Sequence, residues 1–270
     1  MTALVRRVFP ALVLVSVVLF VPKLFVGDGW LYRELFTQRV LEILGTLLKL
    51  VGLGCGAAFA LLTARALGAG NPARVPWLLF GAWLWLFTLG QIVLGVYLCV
   101  LQRAAPFPSL GDLFFVCGYL PAITGAAGFV RVYLASGMPV GTPRELGALA
   151  GIATVAFVAI GIPLLIPIAA ADAPLSERAL NIGYPVLDLV TLVPTLLLAR
   201  IALRLRGGSI GFVWGLIVVG LAAMCAGDVL FAYFSSAGKK GLEPLVDAMF
   251  AIGYLASGWG SAAQYRLATQ

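Results

Sequence analysis

From Gly211 to Phe234 the chain reads GFVWGLIVVGLAAMCAGDVLFAYF, twenty-four residues in which Asp228 is the one Asp, Glu, Lys or Arg. A helix of that length extends roughly 36 Å at about 1.5 Å per residue. That exceeds the ~30 Å hydrocarbon core of a bilayer. The run has no polar stripe with helical period, so a helix formed from it is apolar all round and belongs in lipid or in a bundle within lipid.

Working outward, comparable runs recur along the chain. Spans are expected at Val8–Val26, Leu41–Ala64, Val75–Leu101, Leu113–Leu134, Leu146–Ala170, Ile182–Leu203, Gly211–Phe234 and Leu245–Ala263. Turn chemistry and charge separate them, as in Gly68-Ala69-Gly70-Asn71-Pro72, Pro106-Phe107-Pro108-Ser109, Gly137-Met138-Pro139, Arg206-Gly207-Gly208 and Ser236 to Lys240. Composition agrees: 62% of residues are hydrophobic and 11% charged, against about 25% charged in soluble domains. The fold class is all-α, an integral membrane bundle of eight helices forming a single domain over residues 1–270. The first run follows Arg6 and Arg7 like a secretory signal, yet it is longer than an h-region and lacks a small-residue cleavage site, so it is read as an anchor.

Lys and Arg set the orientation. With an inner amino terminus, Arg6, Arg7, Arg65, Arg74, Arg131, Arg144, Arg200, Arg204, Arg206 and Arg266 fall on the cytoplasmic side. Lys23, Arg33, Arg39, Arg103, Arg178, Lys239 and Lys240 fall outside, and Lys49 lies within a helix. Both termini are then cytoplasmic. The net charge of +7 reflects this topology and attraction to anionic head groups; the dispersed Arg residues are not a nucleic-acid footprint.

The acids are skewed the other way. Only Glu145 is cytoplasmic, whereas Asp28, Glu34, Glu42, Asp112, Asp172, Glu177, Asp188, Glu243 and Asp247 lie at or near the outer face, with Asp228 in the outer half of its helix. Loop acids are ordinarily solvated. Asp228 and Asp188 are not loop residues, and a carboxylate within hydrocarbon costs about 2.5–3.5 kcal/mol even on lenient scales. Asp228 needs a partner, for which Tyr119, Tyr184 and Tyr254 are candidates and Lys49 a possible counter-ion.

Two acids open matching segments. Asp112-Leu113-Phe114-Phe115-Val116-Cys117-Gly118-Tyr119 and Asp247-Ala248-Met249-Phe250-Ala251-Ile252-Gly253-Tyr254 share the pattern D-x-x-F-x-x-G-Y. The preceding spans also correspond, Gly90-Gln91 against Gly227-Asp228. Duplication of a four-helix unit, with halves 1–140 and 141–270, explains both, and an even number of spans per half makes the repeats parallel. Asp, Phe and Tyr at i, i+3 and i+7 share one helix stripe. Asp112 and Asp247 then either cap their helices, where backbone N–H groups lack partners, or contact a ligand or ion. The candidate ligand-binding set is Asp112, Tyr119, Tyr184, Asp188, Asp228, Asp247 and Tyr254.

The segments Pro108 to Tyr119, Tyr184-Pro185-Val186-Leu187-Asp188, Gly227 to Tyr233 and Asp247 to Tyr254 resemble the multi-pass membrane sensor region that precedes bacterial diguanylate cyclases of the GGDEF type. The resemblance covers residues 75–265 and implies a membrane input module in a bacterial inner membrane. The sequence stops at Gln270 without a cyclase, phosphodiesterase or kinase segment. The expectation is therefore a stand-alone relative acting through a protein partner, or a piece of a longer protein.

Other features are structural in this reading. With no His, histidine-ligated haem, histidine phosphotransfer and a Ser-His-Asp triad are excluded. No cofactor and no metal are expected. Cys55, Cys99, Cys117 and Cys225 are small packing residues, with a Cys99–Cys117 disulfide as an alternative. Gly52/Gly56 and Gly211/Gly215 are G-x-x-x-G pairs suited to close helix contact. Pro121, Pro163, Pro167 and Pro194 predict kinks. Gly27–Arg39 is a candidate surface helix, and Trp77, Trp83 and Trp85 are candidate interface anchors. Three functions fit: a sensory or ligand-recognition module, a structural or accessory subunit of a membrane complex, and a carboxylate-based transporter or membrane hydrolase. The first accounts for most of the pattern, with membrane lipids and a protein as partners and no enzymatic role assigned.

Overall fold

Apolar runs bounded by caps and glycines become helices throughout the computed structural model, which describes residues 4–27, 29–137, 141–156, 158–159, 162–163, 166, 174–236 and 243–270. Asp28, Asp172, Pro139, Pro167, Lys239, Lys240 and most of the second half of the expected Leu146–Ala170 span lie outside the described residues. A π-helical turn at Leu4–Val8 leads into α1 (Phe9–Phe20), followed by α2 (Lys23–Val26), α3 (Gln38–Leu67), α4 (Arg74–Gly95), α5 (Leu110–Ala135), α6 (Pro143–Ala156), α7 (Leu175–Arg204), α8 (Ser209–Ser236) and α9 (Glu243–Ala268). Local chemistry sets the ends. Thr37 accepts from the Val40 N–H to cap α3, and Gly68, at φ 75°, closes it. Thr142 and Glu145 form a reciprocal capping pair at α6.

Six helical stretches among the described residues are long and apolar enough to cross a membrane: Val5–Val26, Gln38–Leu67, Arg74–Val100, Leu110–Ala135, Leu175–Arg204 and Ser209–Phe234. The helix α9 has comparable length, but its Gly, Ser and Tyr residues keep it below that apolarity. It sits where such residues are useful, packed against α1, α3 and α8.

The packing closes into a ring: α3 on α4, α4 on α5, α5 on α7, α7 on α8, α8 on α9, and α9 back on α3. Two neighbouring pairs run parallel. Along α3 and α9, Gly52 meets the backbone of Tyr254 and Leu255, and Gly56 meets Gly258. Along α5 and α7, Asp112 meets Tyr184 and Tyr119 meets Asp188. A Cβ on Gly52 would come within 2.6 Å of the α9 backbone, so only glycine permits this approach.

The second G-x-x-x-G pair behaves differently from the expectation. A Cβ on Gly215 would meet open space, and the nearest neighbours of Gly211 belong to its own preceding turn at Leu205 and Arg206. The close contact of α8 is made instead by Gly220, against Gly253 and Ser257. Trp77 and Trp83 are not interface anchors: they are 1% and 0% exposed, while Trp85 is 52% exposed. Aromatic partners draw the buried pair inward, since Trp77 packs edge-on against Phe80 and Phe129 and also meets Trp214. All four cysteines are free thiols, so no Cys99–Cys117 bridge forms. In the Gly27–Arg39 segment the expected surface helix is reduced to a π-type turn at Leu31–Leu35, and α3 already begins at Gln38. Tyr32 pins it by donating to the Leu19 carbonyl at 3.2 Å. Helices α5 and α7 continue through Pro121, Pro185 and Pro194.

Candidate functional site: a buried carboxylate cluster

Three helices bring the deepest acids together. Asp188 of α7 and Asp228 of α8 approach the same Tyr119 hydroxyl of α5. Tyr119 Oη lies 2.7 Å from Asp188 Oδ1 and 3.1 Å from Asp228 Oδ2. A phenol carries one proton. If Tyr119 donates to Asp188, its contact with Asp228 is a hydrogen bond only when the Asp228 carboxyl itself holds a proton and donates to Oη. Asp188 is 2% exposed, and among the described residues no group donates to its second oxygen, Oδ2. A buried carboxylate oxygen without a donor costs several times what a typical satisfied bond contributes.

Local sequence positions each group. Asp188 lies one helical turn beyond Tyr184 on α7, so both face α5. Cys225, one turn before Asp228, packs its thiol 3.9 Å from the Asp188 carbonyl. Gly90 and Gly227 make room for the aromatic rings: a Cβ on Gly90 would come within 2.7 Å of Phe115, and one on Gly227 within 3.0 Å of Phe250. The Phe of each D-x-x-F segment thus lies over a glycine of the preceding helix. Phe87 stands between Tyr119 and Tyr254, its ring centroid 5.8 and 6.2 Å from theirs. Tyr119 and Tyr184 are 6.3 Å apart.

Asp112 takes the capping role, one of the two that the sequence offered, and also links two helices. Its Oδ2 accepts from the backbone N–H and the hydroxyl of Ser109, each at 2.7 Å, which caps α5. Its Oδ1 accepts from the Tyr184 hydroxyl at 2.8 Å, which ties α5 to α7. Asp247 stands apart in chemistry, because Lys49 Nζ pairs with its Oδ1 at 2.5 Å. Lys49 is therefore the counter-ion of Asp247 and not of Asp228. It reaches Asp247 because α3 and α9 are parallel, close neighbours, and it also lies over the Phe250 ring at 5.8 Å. Tyr254 is buried on α9 beside Phe87 and Phe250.

Of the seven residues singled out by sequence, Tyr119, Asp188 and Asp228 share direct hydrogen bonds, and Asp112 with Tyr184 forms an adjoining pair. Tyr254 joins through aromatic packing, and Asp247 is neutralised by Lys49. Phe87 was missed as a member of this assembly, and Lys49, read as a possible counter-ion of Asp228, has Asp247 as its partner instead. The signal for Lys49 was its position: one common interval separates Lys49 from Tyr184 and Asp112 from Asp247. Two cavities among the described residues lie at the opposite end of the bundle, around Trp214 and Trp259. Trp214 precedes Asp228 on α8 by roughly 21 Å of helix. Among the described residues no group of three or more Cys, Asp or Glu side chains is placed to hold a metal ion.

Six long apolar helices and a closed helical ring that buries Asp188 define the class: this is an all-helical, multi-pass membrane protein. No known protein family, curated protein or solved structure matches the chain.

Proposed function

We propose that this protein is a membrane-embedded recognition module whose ligand is a small cationic hydrogen-bond donor, such as a protonated amine, received by Asp188 and Asp228. The observation that carries the reading is Asp188 Oδ2, buried and without a donor among the described residues. Asp112 is fully supplied by Ser109 and Tyr184, and Asp247 by Lys49. The Asp188–Asp228 pair therefore retains negative charge and acceptor capacity, with Tyr119 and Tyr184 rings beside it. That combination suits a small cation. The aromatic and carboxylate groups sit on three helices, so an occupant would bear on the packing of α5, α7 and α8 together. Such a coupling is what an input module acting on a partner protein in a bacterial inner membrane requires, and it fits the resemblance to sensor regions ahead of GGDEF cyclases.

The internal repeat belongs to the same proposal. Leu61-Leu62 with Ala64-Arg65, Lys49, Asp112 and Tyr119 are each separated from Leu196-Leu197 with Ala199-Arg200, Tyr184, Asp247 and Tyr254 by one shared interval. A slightly longer one relates Trp77, Gly90 and Gln91 to Trp214, Gly227 and Asp228. Lys49–Asp247 and Tyr184–Asp112 are then equivalent contacts, as are Phe115 over Gly90 and Phe250 over Gly227. At the two acid positions the halves differ: Leu53 and Gln91 stand where the second half has Asp188 and Asp228. Duplication followed by specialisation gives one charged site in a two-fold frame.

The test uses purified protein in lipid nanodiscs, with the thermal midpoint followed during titration with methylammonium, and with methanol as the uncharged comparison. A ligand that binds only the folded state raises the midpoint in a saturable way. Methylammonium should stabilise the wild type, methanol should not, and Asp188→Asn should abolish the effect. The same methylammonium shift in Asp188→Asn, or none in the wild type, overturns the reading.

A further inference from the structure

We infer that the groove between α1, α8 and α9 at the end away from the aspartates is a binding site for an anionic phospholipid. The cavity measures about 530 Å³, within the ~300–1,000 Å³ range of small-molecule sites. Its walls are apolar, supplied by Val5 and Pro10, by Phe212 and Val213, and by Trp259 and Ala263. Arg6 and Arg266 line the same cavity, and neither guanidinium has an ion-pair partner among the described residues. The Trp259 indole Nε1 is buried with no acceptor among the described residues. Two free cations and an unused N–H donor beside apolar walls are complementary to a phosphate head group with an acyl chain attached.

Position supports lipid over a soluble anion. Arg6, Arg65, Arg131, Arg200 and Arg266 all lie toward one end of the bundle, the end that an excess of basic residues assigns to the cytoplasmic leaflet, where anionic lipids are abundant. The cavity is too small for a whole two-chain lipid. It admits the head group and the upper part of one chain, while exposed Leu14 and Val18 of α1 and Phe212 and Val219 of α8 continue the apolar surface. Arginine suits the phosphate through its fork of N–H donors. The proposal is independent of the carboxylate cluster, which lies across the membrane.

Native mass spectrometry of the full chain, released from mixed micelles containing equal phosphatidylglycerol and phosphatidylcholine, tests it. The wild type should retain phosphatidylglycerol preferentially. Arg6→Gln/Arg266→Gln should lower that retention on the order of tenfold or more. Arg65→Gln/Arg131→Gln removes the same charge from exposed positions outside the groove and should leave it near wild type. Ser209→Trp, an exposed position at the groove mouth, fills the space without removing charge and should also displace the lipid, which preserves the test if the double variant does not fold. Equal retention in the groove variants and the wild type overturns the proposal. So does an equal loss in the Arg65/Arg131 control, or displacement of the lipid by water-soluble glycerol phosphate at comparable concentration.

Discussion

At Asp188 two substitutions that look alike by size should act in opposite directions. Tyr119→Phe deletes the one hydroxyl shared by Asp188 and Asp228, leaving further buried oxygens without partners. It should destabilise by about 1–3 kcal/mol. Asp188→Asn keeps an acceptor for Tyr119 and places an N–H donor where Oδ2 has no partner. It removes a buried charge, and should be neutral or stabilising by up to about 2 kcal/mol. Thermal unfolding in one detergent ranks the three proteins. If Asp188→Asn loses as much as Tyr119→Phe, the carboxylate is structural and the recognition reading loses its support. The sequence exposed these residues because an acid within an apolar run is conspicuous. It could not tell which acids were already satisfied: Asp112 and Asp247 carry the same motif, yet one is supplied by Ser109 and Tyr184 and the other by Lys49, partners that only tertiary packing assigns.

Helix contacts carry the next level of the argument. Gly52→Val would press a branched side chain into the α9 backbone, where a Cβ already meets Tyr254 and Leu255 at 2.6 Å. It should cost at least about 1–3 kcal/mol and loosen α3 from α9. Gly215→Ala points into open space and should be neutral or gain up to about 1 kcal/mol from helix propensity. Unfolding midpoints of the two variants check this; equal losses would mean that α8 makes contacts at Gly215 absent here. Both glycines belong to G-x-x-x-G pairs, so spacing alone could not separate a contact glycine from a lipid-facing one. The α6 amino end offers a pH-dependent case. Glu145 is held below the ordinary Glu range first by the Thr142 backbone N–H, and also by Arg200 and Arg204, with partial desolvation opposing. Because its folded value is depressed, its contribution is present above the unfolded carboxyl range and is lost as pH falls through the folded value. Hydrogen exchange at the α6 first turn should therefore accelerate on acidification. Glu145→Gln should show faster exchange already at neutral pH and little further change, whereas an unaltered acid response in Glu145→Gln would remove Glu145 as the cause.

For the molecule as a whole, helix direction constrains how often the chain crosses the membrane. The start of α5 and the early part of α7 meet at Asp112 and Tyr184, so these helices begin at the same end and run parallel. Ala135 lies 23 residues beyond Asp112, and Leu175 nine residues before Tyr184, so the end of α5 is about 48 Å of helix away from where α7 begins. Ser136 and Pro174 therefore flank opposite ends of the bundle, with α6 between them in sequence. With α1 and α9, which together with α3 pack around Gly45, Gly52 and Gly258, a single crossing between Ser136 and Pro174 would bring the count to eight and leave both ends of the chain on one side, and this is the expected outcome. Hydropathy counted these runs correctly in the six helices whose apolarity is unambiguous. It is weakest for α9, whose small and polar residues serve helix packing. Side-selective labelling decides the point: in a background with the four native cysteines replaced, Ser136→Cys and Ser176→Cys mark the end of α5 and the start of α7 at exposed, near-isosteric positions. A membrane-impermeant maleimide should label Ser176→Cys in intact cells, and Ser136→Cys only in inverted vesicles. Labelling of both from the same face would overturn the parallel arrangement of α5 and α7 and, with it, the expectation of eight crossings.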